Sequence, residues 1–269
     1  SPARYGANGW EYLQWNPTTG REEPFRLQEM AHLYHASMSE DDRSLITYIR
    51  DNDLERDWND VGDKGGEKNS GETELARFQY YDGKNPEWPM KILTSEYEWA
   101  LNTYQETLSD GRTTEEIIST NRMPSDPVLT KGLTQVTLGA PQSVYNGGLL
   151  RATVRYFDRD AGRPGLPADV AALVDSLSHD SAGIQLVNLS NSDTRSLIVQ
   201  AGAFGEHQFT SLEFENDGGL STVPVDSRYF AVELPPSTAV RVSAGIRRFA
   251  NDPSYAFPWH GDQIPVPFQ

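Results

Sequence analysis

The stretch TTEEIISTNRMPSDPVLTK, residues 113–131, marks the point where the pattern of this 269-residue chain changes. It opens like a short helix, with a hydroxyl N-cap at Thr113 and acidic residues such as Glu116 in the first turn. Pro124 and Pro127 then lie close together, and prolines disfavour continuation of a helix. The sequence therefore predicts a boundary between two differently built regions.

The region before this stretch has helical periodicity. Ser39 and Ser70 are each suited to cap the N-terminus of a helix, and Gly83 is suited to end one. Pro89 falls in the first turn of the longest predicted helix, where proline is tolerated. We expect a domain of antiparallel helix hairpins over residues 1–112.

The region after residues 113–133, which we interpret as a linker, is dominated by strand patterns. Seven short segments alternate or run apolar, with turn residues between them: residues 134–139, 149–157, 183–190, 195–201, 207–215, 229–235 and 238–249. They predict an antiparallel β-sandwich domain over residues 134–269, interrupted by one helix in LPADVAALVDSLSHD, residues 166–180. The predicted fold class is α+β, with an extended C-terminal arm, SYAFPWHGDQIPVPFQ.

The composition excludes several classes of protein. A net charge of −16 and a pI near 4.7 argue against binding to nucleic acid or to anionic membrane surfaces. No apolar run approaches the roughly 20 residues of a spanning helix, so we expect no membrane-embedded segment. The absence of cysteine excludes disulfides, thiol nucleophiles and cysteine-bound metals. An acidic, cysteine-free chain suits secretion from a bacterium, to the periplasm or the extracellular space.

Two segments carry a resemblance. In ARFQYYDGKNPEWPMKILTSEYEWA, residues 76–100, paired aromatics end one helix, a Gly/Asn/Pro turn follows, and a long amphipathic helix begins. This arrangement resembles helix hairpins of α/α-toroid glycoside hydrolases and polysaccharide lyases, many of which carry a β-sandwich after the toroid. VELPPSTAVRVSAGIRRF, residues 232–249, is similar to the closing hairpin of such sandwich domains.

The resemblance implies a glycan-processing or glycan-binding protein, with a glycoside hydrolase first and a polysaccharide lyase second. The chain offers fewer helices than a complete toroid before its linker, so either an N-terminal portion of the toroid is missing or the helices are a smaller appendage. The first residues include no Met and no signal-peptide core, which fits removal of a leader or of a larger N-terminal part. The alternative is a non-catalytic extracellular assembly subunit, such as a homo-oligomer joined through its strand edges or its apolar arm.

The most acidic segment lies between Asp51 and Glu74, with nine Asp or Glu against three Lys or Arg. Its carboxylates and glycines could bind calcium, line a glycan cleft, or form a solvated loop. Trp58 adds an aromatic ring that could stack on a sugar face. No cofactor is otherwise expected.

A glycosidase needs one protonated and one ionised carboxyl across the scissile bond. Asp60, Glu67 and Glu72 are the catalytic candidates, because they lie in a loop that leads into a helix start. A lyase would instead use a base such as His32, His35 or Tyr34. The acidic surface disfavours polyanionic uronates and favours neutral glycans as the substrate. The same histidines could bind a metal with Glu29, or could simply flank a core stripe.

An aromatic opening, RYGANGWEYLQWNP, supplies the remaining candidates for substrate binding: Trp10, Tyr12 and Trp15. Trp10 and Tyr12 would share a face of an extended strand, as in a stacking surface, or would anchor the terminus on the core. Glu206 and His207 could face a ligand, although a hairpin tip is the expected setting. Asn188 lies in a glycosylation sequon.

Overall fold

The computed structural model describes residues 3–6, 9–16, 21–24, 27–52, 57–61, 72–120, 130–141, 151–216 and 218–260. The α-helices are α1 (Leu27–Ser37), α2 (Glu40–Asn52), α3 (Glu72–Tyr81), α4 (Trp88–Ser109), α5 (Thr114–Thr120) and α6 (Lys131–Leu138). The strands are β1 (Ala3–Gly6), β2 (Gly9–Asn16), β3 (Arg21–Pro24), β4 (Val154–Asp158), β5 (Arg163–Pro164), β6 (Val170–Leu177), β7 (Ser181–Asn188), β8 (Arg195–Ala201), β9 (Gln208–Asn216), β10 (Gly219–Ser227), β11 (Tyr229–Leu234) and β12 (Ala239–Arg247). The chain therefore has the predicted α+β class.

The N-terminal residues correct one prediction. Residues 1–112 were expected to be helical, but β1, β2 and β3 form a three-stranded antiparallel sheet ahead of α1. Tyr5 pairs with Trp10, and Trp15 pairs with Glu22. Alternating aromatic and polar residues suit a pleated surface better than a helix, so the strand pattern prevails here.

Helices α1 to α4 agree with the predicted cap and stop signals that lie among the described residues; Ser70, the predicted cap of α3, lies outside them. The Ser39 hydroxyl accepts the backbone N–H of Asp42 at 3.2 Å and caps α2. Gly83, with φ of 75°, ends α3: its N–H donates to the Tyr80 carbonyl, and the Lys84 N–H donates to that of Gln79. Both bonds together form a Schellman motif. The Trp88–Ser109 helix has its proline in the first turn, as expected.

A capping box confirms the short helix that was expected after residue 112. The backbone N–H of Thr113 donates to the Glu116 carboxylate at 2.7 Å, and the Glu116 N–H donates to the Thr113 hydroxyl at 3.2 Å. The proline-rich part of the predicted linker, residues 121–129, lies outside the described residues.

Two larger antiparallel sheets make up the second half. One has five strands in the order β10-β9-β12-β7-β6, and the other has four in the order β11-β8-β4-β5. Side chains of both sheets meet in one hydrophobic cluster, which includes Tyr156 and Val199 from the four-stranded sheet and Ile184 and Phe209 from the five-stranded one. This cluster is the largest apolar core in the described part of the chain.

Two local predictions in this half are wrong. The expected helix over residues 166–180 contains the edge strand β6 instead, in which Val170, Ala172 and Val174 face the sheet core. Leu173 packs on the opposite side, against the helices. Burial alternates along β6, but Ala171 and Leu173 on its outer face are themselves apolar, so the sequence shows an apolar run that looked helical.

The expected strand over residues 134–139 is the helix α6. A neighbouring helix sets its start, because the Glu96 carboxylate accepts the backbone N–H groups of Gly132 at 2.5 Å and Leu133 at 3.3 Å. Gly139, with φ of 58°, ends it. Tertiary contacts thus override the strand preference of the Thr and Val residues in this segment. The strand β10 was not predicted at all.

Three sets of hydrogen bonds tie the helices to one another and to the sheets. Arg77 of α3 donates to the Gly139 carbonyl at 2.9 Å, and the Tyr156 hydroxyl donates to the Thr137 carbonyl at 2.9 Å. Arg248 donates to two carbonyls at the end of α1. No helix among the described residues is long and apolar enough to cross a membrane.

Candidate functional site

A groove of about 630 Å³ runs between the helices and one turn of the five-stranded sheet. Three segments form it: the α1–α2 junction, the end of α3, and the β6–β7 turn. Its lining mixes aromatic rings, hydroxyls and charged groups: Tyr34, Ser37, Met38, Ser39, Glu40, Arg43, Phe78, Tyr81, Asp82, Leu177, Ser178, His179 and Asp180. The volume is in the range of a small-molecule site.

The α1–α2 junction is held in a set shape. Hydroxyls of Ser37 and Ser39 both donate to the Asp42 carboxylate, which bridges the two helices. Met38 between them has φ of 53°, a left-handed conformation that is uncommon for a residue with a side chain. Such backbone strain clusters at functional sites, and Met38 lines the groove.

Asp82 is the best-anchored acid of the groove. Its carboxylate accepts from Arg43 at 2.7 Å and from Arg50 at 2.6 Å, and Lys84 lies 3.4 Å away. Burial would raise the pKa of this carboxyl, but the hydrogen bonds from Arg50 and Arg43 outweigh it and hold the pKa below its ordinary value. Asp82 is therefore ionised and suited to accept hydrogen bonds.

The groove's aromatic rings lie edge to face. Tyr34 and Phe78 have ring centroids 5.5 Å apart at 80°. Burial raises the pKa of Tyr34, so this phenol stays protonated at neutral pH. Tyr34 was a candidate base for lyase chemistry, and a raised pKa makes it poorly suited to that role.

A second, smaller cavity lies behind the groove and shares Met38, Leu177, Ser178 and His179 with it. It measures about 30 Å³, which is room for about two water molecules. Cationic and imidazole side chains dominate its wall: His35, Arg77, Arg151, His207 and Arg248. We call it the arginine cavity.

His207 of the arginine cavity has a defined tautomer. Its Nδ1 accepts the backbone N–H of Phe249 at 3.1 Å, so the neutral ring carries its proton on Nε2. Burial lowers the pKa of His207, although neighbouring Glu206 works in the opposite direction. The expectation of a hairpin tip is wrong for this pair, because both side chains are buried.

Of the acidic-segment candidates, only Trp58 and Asp60 have side chains among the described residues. Trp58 is only 5% exposed and packs with Ala31, Ile46, Leu75 and Phe78, so it is a core anchor and not a stacking surface. Its indole is shielded because the chain folds back onto α1, α2 and α3 here. This corrects the expectation that Trp58 presents a ring to a sugar.

Asp60 is partly exposed, and its backbone N–H donates to the Asp57 carbonyl at 3.3 Å. Glu67 lies outside the described residues. Glu72 opens α3, and its side chain lies outside the described set. Within the described residues no group of three His, Asp or Glu is placed to hold a metal ion.

The aromatic opening is extended, which is the condition for Trp10 and Tyr12 to share a face of a strand. Trp10, Tyr12 and Trp15 all lie in β2, two and three residues apart. The described part of the C-terminal arm packs on its own chain: Phe257 and Trp259 lie 5.9 Å and 5.8 Å from the ring of Phe157.

Asn188 of the glycosylation sequon is 1% exposed. Its amide donates to the carbonyls of Asp193, Leu234 and Pro235 at 2.8 to 3.0 Å. The side chain therefore ties two loops together and is inaccessible to a modifying enzyme in the folded state.

Sequence reasoning missed the groove because its three segments are far apart in the chain. One signal was present: the paired aromatics and acid of the QYYD segment, residues 79–82, which supply Tyr81 and Asp82. The turn residues Ser178 to Asp180 carried no signal, since they were assigned to a helix.

Comparison with known proteins adds one finding. Residues 4–134 match a family model described as "Domain of unknown function (DUF8034)". The match covers just under half of the chain and includes β2, β3 and helices α1 to α5. No curated protein and no solved structure matches the chain.

Proposed function

We propose that this protein binds a neutral glycan in the groove. The observation that carries the proposal is the composition of the groove wall, where the rings of Tyr34 and Tyr81 lie among hydroxyl and carboxylate groups. Sugars need this combination, since a pyranose face stacks on an aromatic ring while its hydroxyls bond to acids and alcohols.

Charge favours a neutral ligand. Glu40, Asp82 and Asp180 all line the groove, and the chain has a net charge of −16. A polyanionic glycan would be repelled by the groove and by the protein as a whole. Neutral hydroxyls, in contrast, donate well to ionised carboxylates.

Binding is better supported than hydrolysis. A glycosidase needs one carboxyl with a raised pKa to protonate the leaving oxygen. Asp82 has a lowered pKa and is held by two arginines, so it suits recognition or charge stabilisation. Glycoside hydrolase activity, with Asp60, Glu67 and Glu72 as its acids, therefore stays a secondary proposal.

We also propose a finer architecture, in which a partial α/α-toroid is followed by a β-sandwich. The two large sheets share one apolar cluster, which supports a β-sandwich. Contacts of α1 with α2 and α3, and of α3 with α4, support a partial α/α-toroid. We also propose an extracellular or periplasmic location, which the acidic, cysteine-free composition supports.

The test is isothermal titration calorimetry against neutral oligosaccharides, using the intact chain. We expect binding to wild type, a loss of about tenfold in Tyr34→Ala from lost ring stacking, and a smaller loss in His179→Ala. His179 is exposed, so its removal spares the core. Tyr255→Ala is the matched control and should bind normally, because Tyr255 is 72% exposed and lies outside the groove. Equal binding by all four proteins would reject the groove.

A second candidate function, an assembly subunit, is favoured by the outer face of α4. Tyr97, Leu101, Tyr104 and Leu108 are all exposed, and they follow one another at spacings of four, three and four residues. This is the spacing of a short helix–helix seam. We propose a second copy of this chain as the occupant, since a seam of alternating Tyr and Leu is complementary to itself.

Light scattering coupled to size-exclusion chromatography tests this second candidate. We expect a dimer for wild type and a monomer for the double variant Leu101→Ser, Leu108→Ser. Exposed Leu220→Ser on β10 is the matched control and should leave the dimer intact. A monomeric wild type over the full range of concentrations would reject the assembly function without affecting the glycan proposal.

A further inference from the structure

Three arginines of the arginine cavity differ sharply in how their charges are satisfied. Arg248 donates to the carbonyls of Ala36 at 2.6 Å and Ser37 at 2.9 Å, at the end of α1. Arg77 donates to the Glu74 carboxylate at 3.1 Å and to a backbone carbonyl. Both are therefore fixed in position by the protein itself.

Arg151 has no such support. Within the described residues, it makes no hydrogen bond and no ion pair, although its side chain is partly buried. Burial and, after it, the charges of Arg248 and Arg77 together lower the pKa of Arg151 to about 10, against a smaller opposing effect of Glu206. A desolvated guanidinium without a partner is costly, so such groups are normally paired.

The charges around the cavity do not balance. Three guanidinium groups, of Arg77, Arg151 and Arg248, face two nearby carboxylates, those of Glu74 and Glu206. The Glu206 carboxylate is already bonded to the backbone N–H groups of Ala203 and Phe204. Among the described residues, one positive charge is therefore left without a counterpart.

Further donor groups lie beside the same space, although His207 Nε2 is also 3.9 Å from a Glu206 carboxylate oxygen. The Nε of Arg77 is buried and has no hydrogen-bond partner in the described structure. His207 carries its proton on Nε2, because Nδ1 is occupied by the Phe249 N–H. With the free fork of Arg151, the wall offers several donors and one surplus positive charge.

We propose that the arginine cavity is a binding site for one carboxylate group, held by Arg151 with Arg77 and Arg248. The size of the cavity selects the ligand, because space for about two water molecules matches the two oxygens of a carboxylate. Planar guanidinium groups bind carboxylates through two parallel hydrogen bonds. The cavity adjoins the proposed glycan groove, but the carboxylate proposal does not depend on the glycan proposal.

The carboxylate could arrive as a free ion or as a substituent of a larger molecule in the adjoining groove, since four residues line both spaces. Three probes distinguish these sources: acetate, glucuronate and glucose, each tested for a rise in Tm at constant ionic strength. Stabilisation by acetate assigns a free carboxylate, and stabilisation by glucuronate alone assigns a carboxylate carried by a sugar. Sodium chloride at equal ionic strength is the reference.

Substitution of Arg151 provides a second test of the carboxylate site. We expect Arg151→Gln to bind the stabilising probe about tenfold more weakly, because a charged hydrogen-bonding partner is lost. Arg247→Gln is the matched control: Arg247 is the neighbour of Arg248 on β12, is exposed, and should leave binding unchanged. In buffer without carboxylate, Arg151→Gln should be at least as stable as wild type, since it removes an unpaired charge.

Two results would overturn the site. One is the absence of any carboxylate-specific rise in Tm for the wild-type protein. The other is a loss of stability in Arg151→Gln without ligand, which would mean that Arg151 has a purely structural role. The first measurement uses wild type alone and does not depend on whether a variant folds.

Discussion

The Nη1 atom of Arg50 lies 2.6 Å from Oδ2 of Asp82, and this ion pair ties the end of α2 to the end of α3. Both side chains are largely buried, at 7% and 10% exposed. The pair therefore fixes the edge of the groove that Asp82 lines, and it links groove geometry to stability.

Asp82→Asn should lower the free energy of unfolding by about 2 kcal/mol at neutral pH, because it leaves a buried guanidinium poorly paired. The pKa of Asp82 is lowered by folding, so its contribution is present above the unfolded pKa near 4 and is lost as pH falls through the folded pKa. Urea denaturation of both proteins at several pH values checks this, and the difference between them should shrink as the pH falls below about 4.

Asp110→Asn is the matched control for that measurement. Its pKa is also lowered, to about 2, by hydrogen bonds from Arg112, but this pair lies at the surface. Exposed pairs contribute little to stability, so the variant should unfold like wild type. A difference for Asp82→Asn that stays constant down to low pH would contradict the assigned role of its carboxylate.

Gly202→Ala should destabilise the protein by about 2 to 3 kcal/mol, from backbone strain and from lost hydrogen bonds. Gly202 has φ of 89°, and an added Cβ would collide with the Glu206 carboxylate. That carboxylate is bonded to the N–H groups of Ala203 and Phe204, and these bonds would break. Thermal and urea unfolding measure the loss.

Gly162→Ala separates the effect of backbone strain from the effect of the lost Glu206 hydrogen bonds. Gly162 has φ of 59° and nothing within 4 Å of an added Cβ, so only strain of about 1 kcal/mol is expected. Equal losses in the two glycine variants would show that the Glu206 contact contributes nothing.

The sequence predicted helix ends correctly where a capping or stop residue contacts backbone groups only a few residues away. The Ser39 cap and the Gly83 stop involve contacts within a few residues, and both were readable in advance. The start of α6 depends on Glu96 of α4, a contact between residues more than 30 positions apart. No local pattern near Gly132 encodes it.

For the candidate site residues too, local features were predictable from the sequence and long-range contacts were not. The sequence shows that Trp58 lies among acidic residues, but its burial depends on packing against α1, α2 and α3, which are formed by other segments. The groove depends on the β6–β7 turn reaching the α1–α2 junction, and the misassigned helix hid that turn. Side-chain chemistry could be read from the sequence, whereas exposure and neighbours could not.

Trp58→Ala should cost about 3 to 5 kcal/mol of stability, the usual range for emptying a buried aromatic site. Trp99→Ala on α4 removes a ring that is 44% exposed and should cost far less. Chemical denaturation of both variants checks the contrast. Similar small losses would mean that Trp58 is exposed in solution and would restore it as a candidate for ligand stacking.

The most direct test of the central claim is NMR chemical-shift mapping of the isotope-labelled protein during titration with a neutral oligosaccharide. We predict saturable chemical-shift changes of the backbone amides at the groove, in residues 37–43 and 177–180. The amides of Asp57 to Val61 should be unaffected. Shifts confined to residues 57–61, or no saturable shift with any neutral glycan, would contradict it.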